Sequence, residues 1–200
     1  ICLRHGVRVI SDEIHFDLVF PAHKHTVFAS LTPELGSITI TLTAPSKTFN
    51  IAGMTVSNVI VENKLIREEL WDMGHYINVF GFVACEAAYK DAENWLNQCL
   101  VVLFENCNYF REQLTKRIPV FSCCEQEGTY LVWMDCSRAG LTSHQLDEFL
   151  WNDARFYSEQ GGIFGEGFEL FHRVNLACPT SYVEAAVNRL EAAAARRGLI

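Results

Sequence analysis

No apolar run in this 200-residue chain approaches the ~18 residues that a membrane-spanning helix requires. The longest, around Val79 to Cys85, is short and interrupted by glycine. Basic patches are also missing: Lys24, the Lys116-Arg117 pair and the Arg196-Arg197 pair are scattered, and 24 acidic residues against 16 basic ones leave a formal charge of −8. Such a surface repels phosphate polymers, which excludes nucleic acid as a partner. The eight cysteines (Cys2, Cys85, Cys99, Cys107, Cys123, Cys124, Cys136 and Cys178) contain no CxxC pair and no histidine at zinc spacing. They read as reduced, mostly buried thiols of a cytoplasmic protein. His23-Lys24-His25 has no carboxylate or cysteine at a fixed offset and reads as a solvated loop rather than a metal site. The glycines at 161, 162, 165 and 167 lack P-loop spacing, so they mark turns. Ile1 to Ile10 does not read as a secretory signal, because it carries Arg4, His5 and Arg8 without an apolar core segment. Nor is there an initiating methionine. The chain reads as a piece of something longer, opening on the tail of a helix that enters a strand.

What is present is enough apolar material for a real core: half the residues are apolar and a fifth are charged. Val7 to Ser11 reads as a strand delivering Asp12-Glu13 at its carboxyl end. Ser37 to Thr43 alternates Ile38, Ile40 and Leu42 with small polar residues, then runs through Ala44-Pro45-Ser46 into Lys47. Val56 to Val61 is a third strand candidate, in a mixed or parallel sheet. Helices are expected over Ile66 to Met73, Phe80 to Asp91 and Asn94 to Leu114. The last carries one apolar stripe: Leu96, Leu100, Leu103, Cys107, Phe110 and Leu114. A small α+β part follows, with strands over Gly128 to Asp135, buried on both faces, and over Phe171 to Ala177. Capping boxes at Thr142 to Gln145 and at Ser181 to Glu184 open two helices, the second stopping at Gly198.

Asp12 and Lys47 each close a predicted strand, and neighbouring parallel strands bring their carboxyl ends together, where α/β sheets bind ligands. A carboxylate opposite a lysine is the pair that pyridoxal phosphate enzymes use. It is also the pair that a simple surface ion pair, worth about 0–1 kcal/mol, would use.

Four segments in order, VRVISDEIHFD, TAPSKTFNIAG, GTYLVWMD and RVNLACP, together with HYINVFGFVACEAAY, resemble the cystathionine β-lyase or C–S lyase subgroup of class I/II aminotransferases. These are fold-type I pyridoxal phosphate enzymes. The resemblance implies an α/β fold: residues 1–96 form the C-terminal part of a large, mostly parallel-sheet cofactor domain, and 97–200 a bridging helix and a small α+β domain. It implies that Lys47 carries pyridoxal 5'-phosphate as a Schiff base and that Asp12 pairs with the pyridinium nitrogen. His15, matching the subgroup's DEIH, lies near the cofactor's phenolic edge. Ser46 offers a contact to phosphate or a local hydrogen bond, and Arg173 grips the substrate α-carboxylate. The broader pattern has a serine three residues before the lysine and an arginine eight after, both on phosphate; here those positions are Ala44 and Thr55. Phosphate binding then leans on a glycine-rich turn and helix N-terminus of the upstream half.

The implied reaction is β-elimination from cystathionine or a cysteine S-conjugate to a thiol, pyruvate and ammonia, in a cytoplasmic enzyme that is a homodimer at full length. Transamination on the same residues is the alternative. A reading of another class is a truncated, inactive chain or interaction module.

Overall fold

A single helical turn, α1 (Cys2–His5), leads into strand β1 (Val9–Asp12), as the opening residues predict. The computed structural model describes residues 1–71 and 78–200, which divide into two units, Ile1–Cys99 and Leu100–Ile200.

In the first unit the loop after β1 ends at α2 (Pro33–Gly36), whose N-cap Thr32 accepts from Leu35 N–H at 3.2 Å. Strand β2 (Thr39–Thr43) follows, then the single turn α3 (Pro45–Thr48), with proline at its first position, where no amide donor is needed. Strand β3 (Asn58–Ile60) completes a sheet of order β1-β2-β3. β1 runs parallel to β2, matching Asp12 to Leu42, and β3 runs antiparallel, matching Thr43 to Asn58. An alternating strand commonly leaves one polar face to solvent. Instead Thr39, Thr41 and Thr43 are buried as well as Ile40, because β2 is the central strand. Ile40, Val61 and Ile66 form the core here, with Leu42 and Leu70 packed against them. Helix α4 (Lys64–Trp71) supplies Ile66; the end of the helix expected up to Met73, like His75 to Ile77 of the quoted motif, lies outside the described residues. Helix α5 (Val79–Asp91) starts on N-cap Asn78, and its Gly81 sits where a Cβ would come 2.3 Å from the Met54 carbonyl oxygen.

Helix α6 (Glu93–Arg117) buries Leu103, Cys107, Phe110 and Leu114 of the predicted stripe, and with them Asn106. The Asn106 amide donates to the carbonyls of Leu176 at 3.1 Å and Cys178 at 2.8 Å. The second unit's sheet has order β4-β5-β7-β6, from β4 (Ser122–Cys123), β5 (Leu131–Asp135), β6 (Glu159–Gln160) and β7 (Phe171–Asn175), all pairings antiparallel. β5 buries one face rather than both: Val132 and Met134 are inside, while Leu131, Trp133 and Asp135 are half-buried. The capping box at Thr142 and Gln145 forms and opens α7 (Ser143–Glu148), which passes into a π-helical turn, Phe149–Asp153. The second expected box does not form. Helix α8 (Thr180–Arg197) begins one residue before Ser181, at N-cap Pro179, whose ring presets the turn, and no side chain caps it. It ends at Gly198 with φ +67°, a conformation that glycine adopts without steric cost. All eight cysteines are free. Among the described residues no helix is long and apolar enough to cross a membrane.

Candidate active site

The parallel pairing of β1 with β2 puts Asp12 across from Leu42, so Asp12 and the Lys47 turn leave the carboxyl ends of adjacent strands. Both are exposed, and they form no ion pair with each other. Among the described residues no carboxylate or hydrogen-bond acceptor engages the Lys47 amine. Asp12 Oδ1 accepts the Ile14 N–H at 3.2 Å. His15 is half-buried, in the turn where its carbonyl accepts from Leu18 N–H at 3.0 Å. Ser46, also half-buried, precedes Lys47 in α3 and its carbonyl accepts from Ile51 N–H at 3.2 Å. These four residues belong to the first unit, and Arg173 belongs to the second.

Two carboxylates that sequence reasoning passed over hold this turn. Glu13, next to Asp12, is buried: it accepts from Ser11 Oγ at 2.9 Å and from Phe28 N–H at 3.0 Å, and lies 2.8 Å from His25 Nε2. Burial works to raise its carboxyl, but His25, the Phe28 amide and Ser11 together hold it below the ordinary range. His25 is therefore tied to a buried acid rather than lying in a solvated loop. Asp17 Oδ2 accepts from Thr48 Oγ1 at 3.0 Å, and burial raises its carboxyl while Thr48 and His25 pull it back. Tyr89 on α5 is pushed up to about 12 by burial and then by the Asp17 and Cys85 charges, and its ring meets Phe49 edge-on at 5.4 Å. Downstream of Lys47, Asn78 donates to the Met54 carbonyl at 2.7 Å and to Thr55 Oγ1 at 3.3 Å.

A lysine amine without a carboxylate partner among the described residues, and a carboxylate leaving the end of the adjacent strand, are groups whose chemistry fits the carbonyl and ring nitrogen of pyridoxal phosphate. For the phosphate, Ala44 brings no polar side chain, and the Thr55 hydroxyl is engaged by Asn78. Only part of such a cofactor's contacts thus comes from the first unit's described residues.

In the second unit, Arg173 lies on β7 between Trp133 of β5 and Glu159 of β6. Its Nε donates to Glu159 Oε2 at 2.5 Å, its Nη2 meets the same oxygen, and its guanidinium carbon stands 4.7 Å from the Phe164 ring centroid. Beneath this pair, His172 is fully buried, with Nδ1 3.0 Å from Ser158 Oγ and Nε2 3.3 Å from Asp147 Oδ1. The only sequence signal for Glu159 is an acid just ahead of the glycine-rich loop. Nothing in the sequence reveals that β6 pairs with β7.

The family model for aminotransferase class I and II matches residues 1–190. Cystathionine beta-lyase PatB of Bacillus subtilis is 36% identical over 199 residues, covering 96% of this chain and 51% of that protein. Protein MalY of Escherichia coli is 30% identical, covering 94% of this chain and 49% of its own length. Among solved structures, cystalysin from Treponema denticola, which contains pyridoxal 5'-phosphate, superposes with a TM-score of 0.94 at 38% identity over 98% of this chain and 51% of its own. A PLP-bound putative aminotransferase from Clostridium difficile superposes with a TM-score of 0.90, also at 38% identity, over 96% and 51%. The chain spans about half the length of the curated relatives it matches. A lysine turn and an aspartate at the ends of parallel strands, joined to a match that runs through both units, give one conclusion: this chain belongs to the class I and II aminotransferases.

Proposed function

We propose that these residues serve a pyridoxal-phosphate-dependent carbon–sulfur β-lyase, acting on cystathionine or a cysteine S-conjugate. The parallel register of β1 and β2, from whose carboxyl ends Asp12 and the Lys47 turn depart, supports the proposal, as does a Lys47 amine with no partner among the described residues. Similarity to two proteins, PatB and MalY, at 30% identity or more, the first named a cystathionine beta-lyase, favours elimination over amino transfer. On this reading residues 1–96 belong to the cofactor-binding domain and 97–200 to the bridging helix and small domain of a cytoplasmic homodimer.

Bound at Lys47, the cofactor would supply an electron sink for the charge left at the substrate's Cα. Lys47 would hold the cofactor's carbonyl carbon and, once displaced by the substrate amine, take the proton from Cα as general base. Asp12 would keep the proton on the ring nitrogen. His15 would lie at the cofactor's phenolic edge, and Ser46 would contribute a hydroxyl near the phosphate. Arg173 would bind both oxygens of the α-carboxylate through its planar fork, a geometry that lysine does not reproduce. Breaking the Cβ–S bond releases a thiolate, which takes up a proton. The remaining 2-aminoacrylate adds water to give pyruvate and ammonia.

The test is Lys47→Ala in the cofactor-loaded protein, assayed for pyruvate and thiol from cystathionine and, separately, for keto-acid-dependent amino transfer. Loss of both cofactor absorbance and pyruvate release is the expected result. A variant releasing pyruvate at the normal rate sinks the assignment, and amino transfer without thiol release by the unaltered protein replaces it with transamination.

A further inference from the structure

Arg173 is not a loose cation waiting for a ligand. Glu159 Oε2 takes both its Nε and its Nη2, which occupies the side-on edge of the guanidinium. Phe164 covers one face of the plane at 4.7 Å. The remaining Nη1 has no partner among the described residues, so the end-on edge of the fork stays open to a second carboxylate. The group is a third exposed and can be reached by a ligand. Each support is itself fixed. β6 is only two residues long, but Gln160 Nε2 donates to Asp147 Oδ2 at 2.5 Å, pinning the residue beside Glu159. Phe164 is held edge-on by Trp133, with ring centroids 5.5 Å apart.

We propose that Glu159 is a positioning residue: it sets the plane and rotamer of Arg173 so that the end-on edge receives the α-carboxylate of an amino acid. This rests on the reading of Arg173 as the carboxylate-binding group. An arginine side chain gives up much rotamer freedom when it is fixed, and a ligand that must fix it binds less tightly than one that finds it fixed already. Glu159 takes that cost during folding, and Phe164 restricts tilting of the plane. The adjacent carboxylate also disfavours ligands that need the whole guanidinium charge, and favours those that need only its geometry.

The cofactor-loaded protein is titrated with L-alanine, which has an α-carboxylate but no leaving group at Cβ, while the Arg173 Nε–H resonance is followed by NMR. The resonance is identified by its loss in Arg173→Lys. In the unaltered protein the resonance is sharp and moves on titration. In Glu159→Gln, the half-point rises about two- to fivefold, the loss expected for a partly exposed charge pair. Glu159→Ala, which has no acceptor at all, is affected more than Glu159→Gln. In thiol-release assays the same variants raise KM by a matching factor and leave kcat near its original value. A half-point that is unchanged or lower in Glu159→Gln overturns the proposal, as does an Arg173 resonance indifferent to L-alanine in the unaltered protein. Absence of pyruvate formation alongside the expected titration pattern rejects the lyase reading and leaves the role of Glu159 standing.

Discussion

Thr48 donates its hydroxyl to Asp17 Oδ2 at 3.0 Å, which ties the residue after Lys47 to the loop that follows Asp12. Thr48 is buried and Asp17 half-buried, so the bond lies where water competes poorly for it.

Replacing Thr48 by valine keeps the shape and removes the donor. The unfolding free energy at neutral pH is expected to fall by about 1–2 kcal/mol, because a half-buried carboxylate is left without its partner. Urea unfolding measures this. Burial already raises the Asp17 carboxyl and Thr48 lowers it, so Thr48→Val moves its titration further up, read from the carboxyl carbon shift against pH.

His172 gives the second unit a defined pH dependence. Burial lowers its pKa below 6.5, with Asp147 and Ser158 opposing the shift from the two groups that face the ring. The unfolded chain therefore takes up a proton near pH 6.5 that the folded chain refuses. Stability is full above that pH and declines as the pH falls toward the folded value. The urea midpoint should drop between pH 7.5 and pH 5.5, about one unit either side of the ordinary histidine value, and His172→Gln should flatten that part of the profile.

Gly81 tests how α5 seats on the chain downstream of Lys47. A methyl group there would meet the Met54 carbonyl oxygen at 2.3 Å and the Val56 side chain at 3.2 Å, so the helix must shift. Gly81→Ala is expected to cost about 1–3 kcal/mol despite alanine's higher helix propensity. A thermal melt at or above the original midpoint would contradict this packing.

The elements carrying Asp12 and Lys47 are legible in the sequence because a β-rich run precedes Asp12 and an alternating run followed by Ala44-Pro45-Ser46 precedes Lys47. The stripe of α6 and the stop at Gly198 were legible for similar local reasons. Contacts made far along the chain were not. Thr48 and Asp17 are 31 residues apart, and no local pattern announces their bond. His25 reads as a loop residue until Glu13 is known to be buried. The two-residue strand β6 is too short to show a period, so the partner of Arg173 emerged only from the register of β6 against β7. The start of α8 departs from the local pattern: Ser181 and Glu184 have the spacing of a capping box, but Pro179 already fixes the turn.

The sheet order also ranks how readily the parts of the first unit come undone. β1 is four residues long with one strand neighbour among the described residues, whereas β2, which leads to Lys47, is flanked on both sides. Within this 200-residue chain, opening of β1 alone breaks fewer of the described backbone bonds than opening of β2, so the amides of β1 in the isolated chain should exchange with solvent first. Asp12 would then part from the strand that leads to Lys47 in a local event well short of global unfolding, while the Lys47 turn keeps its place at the end of β2.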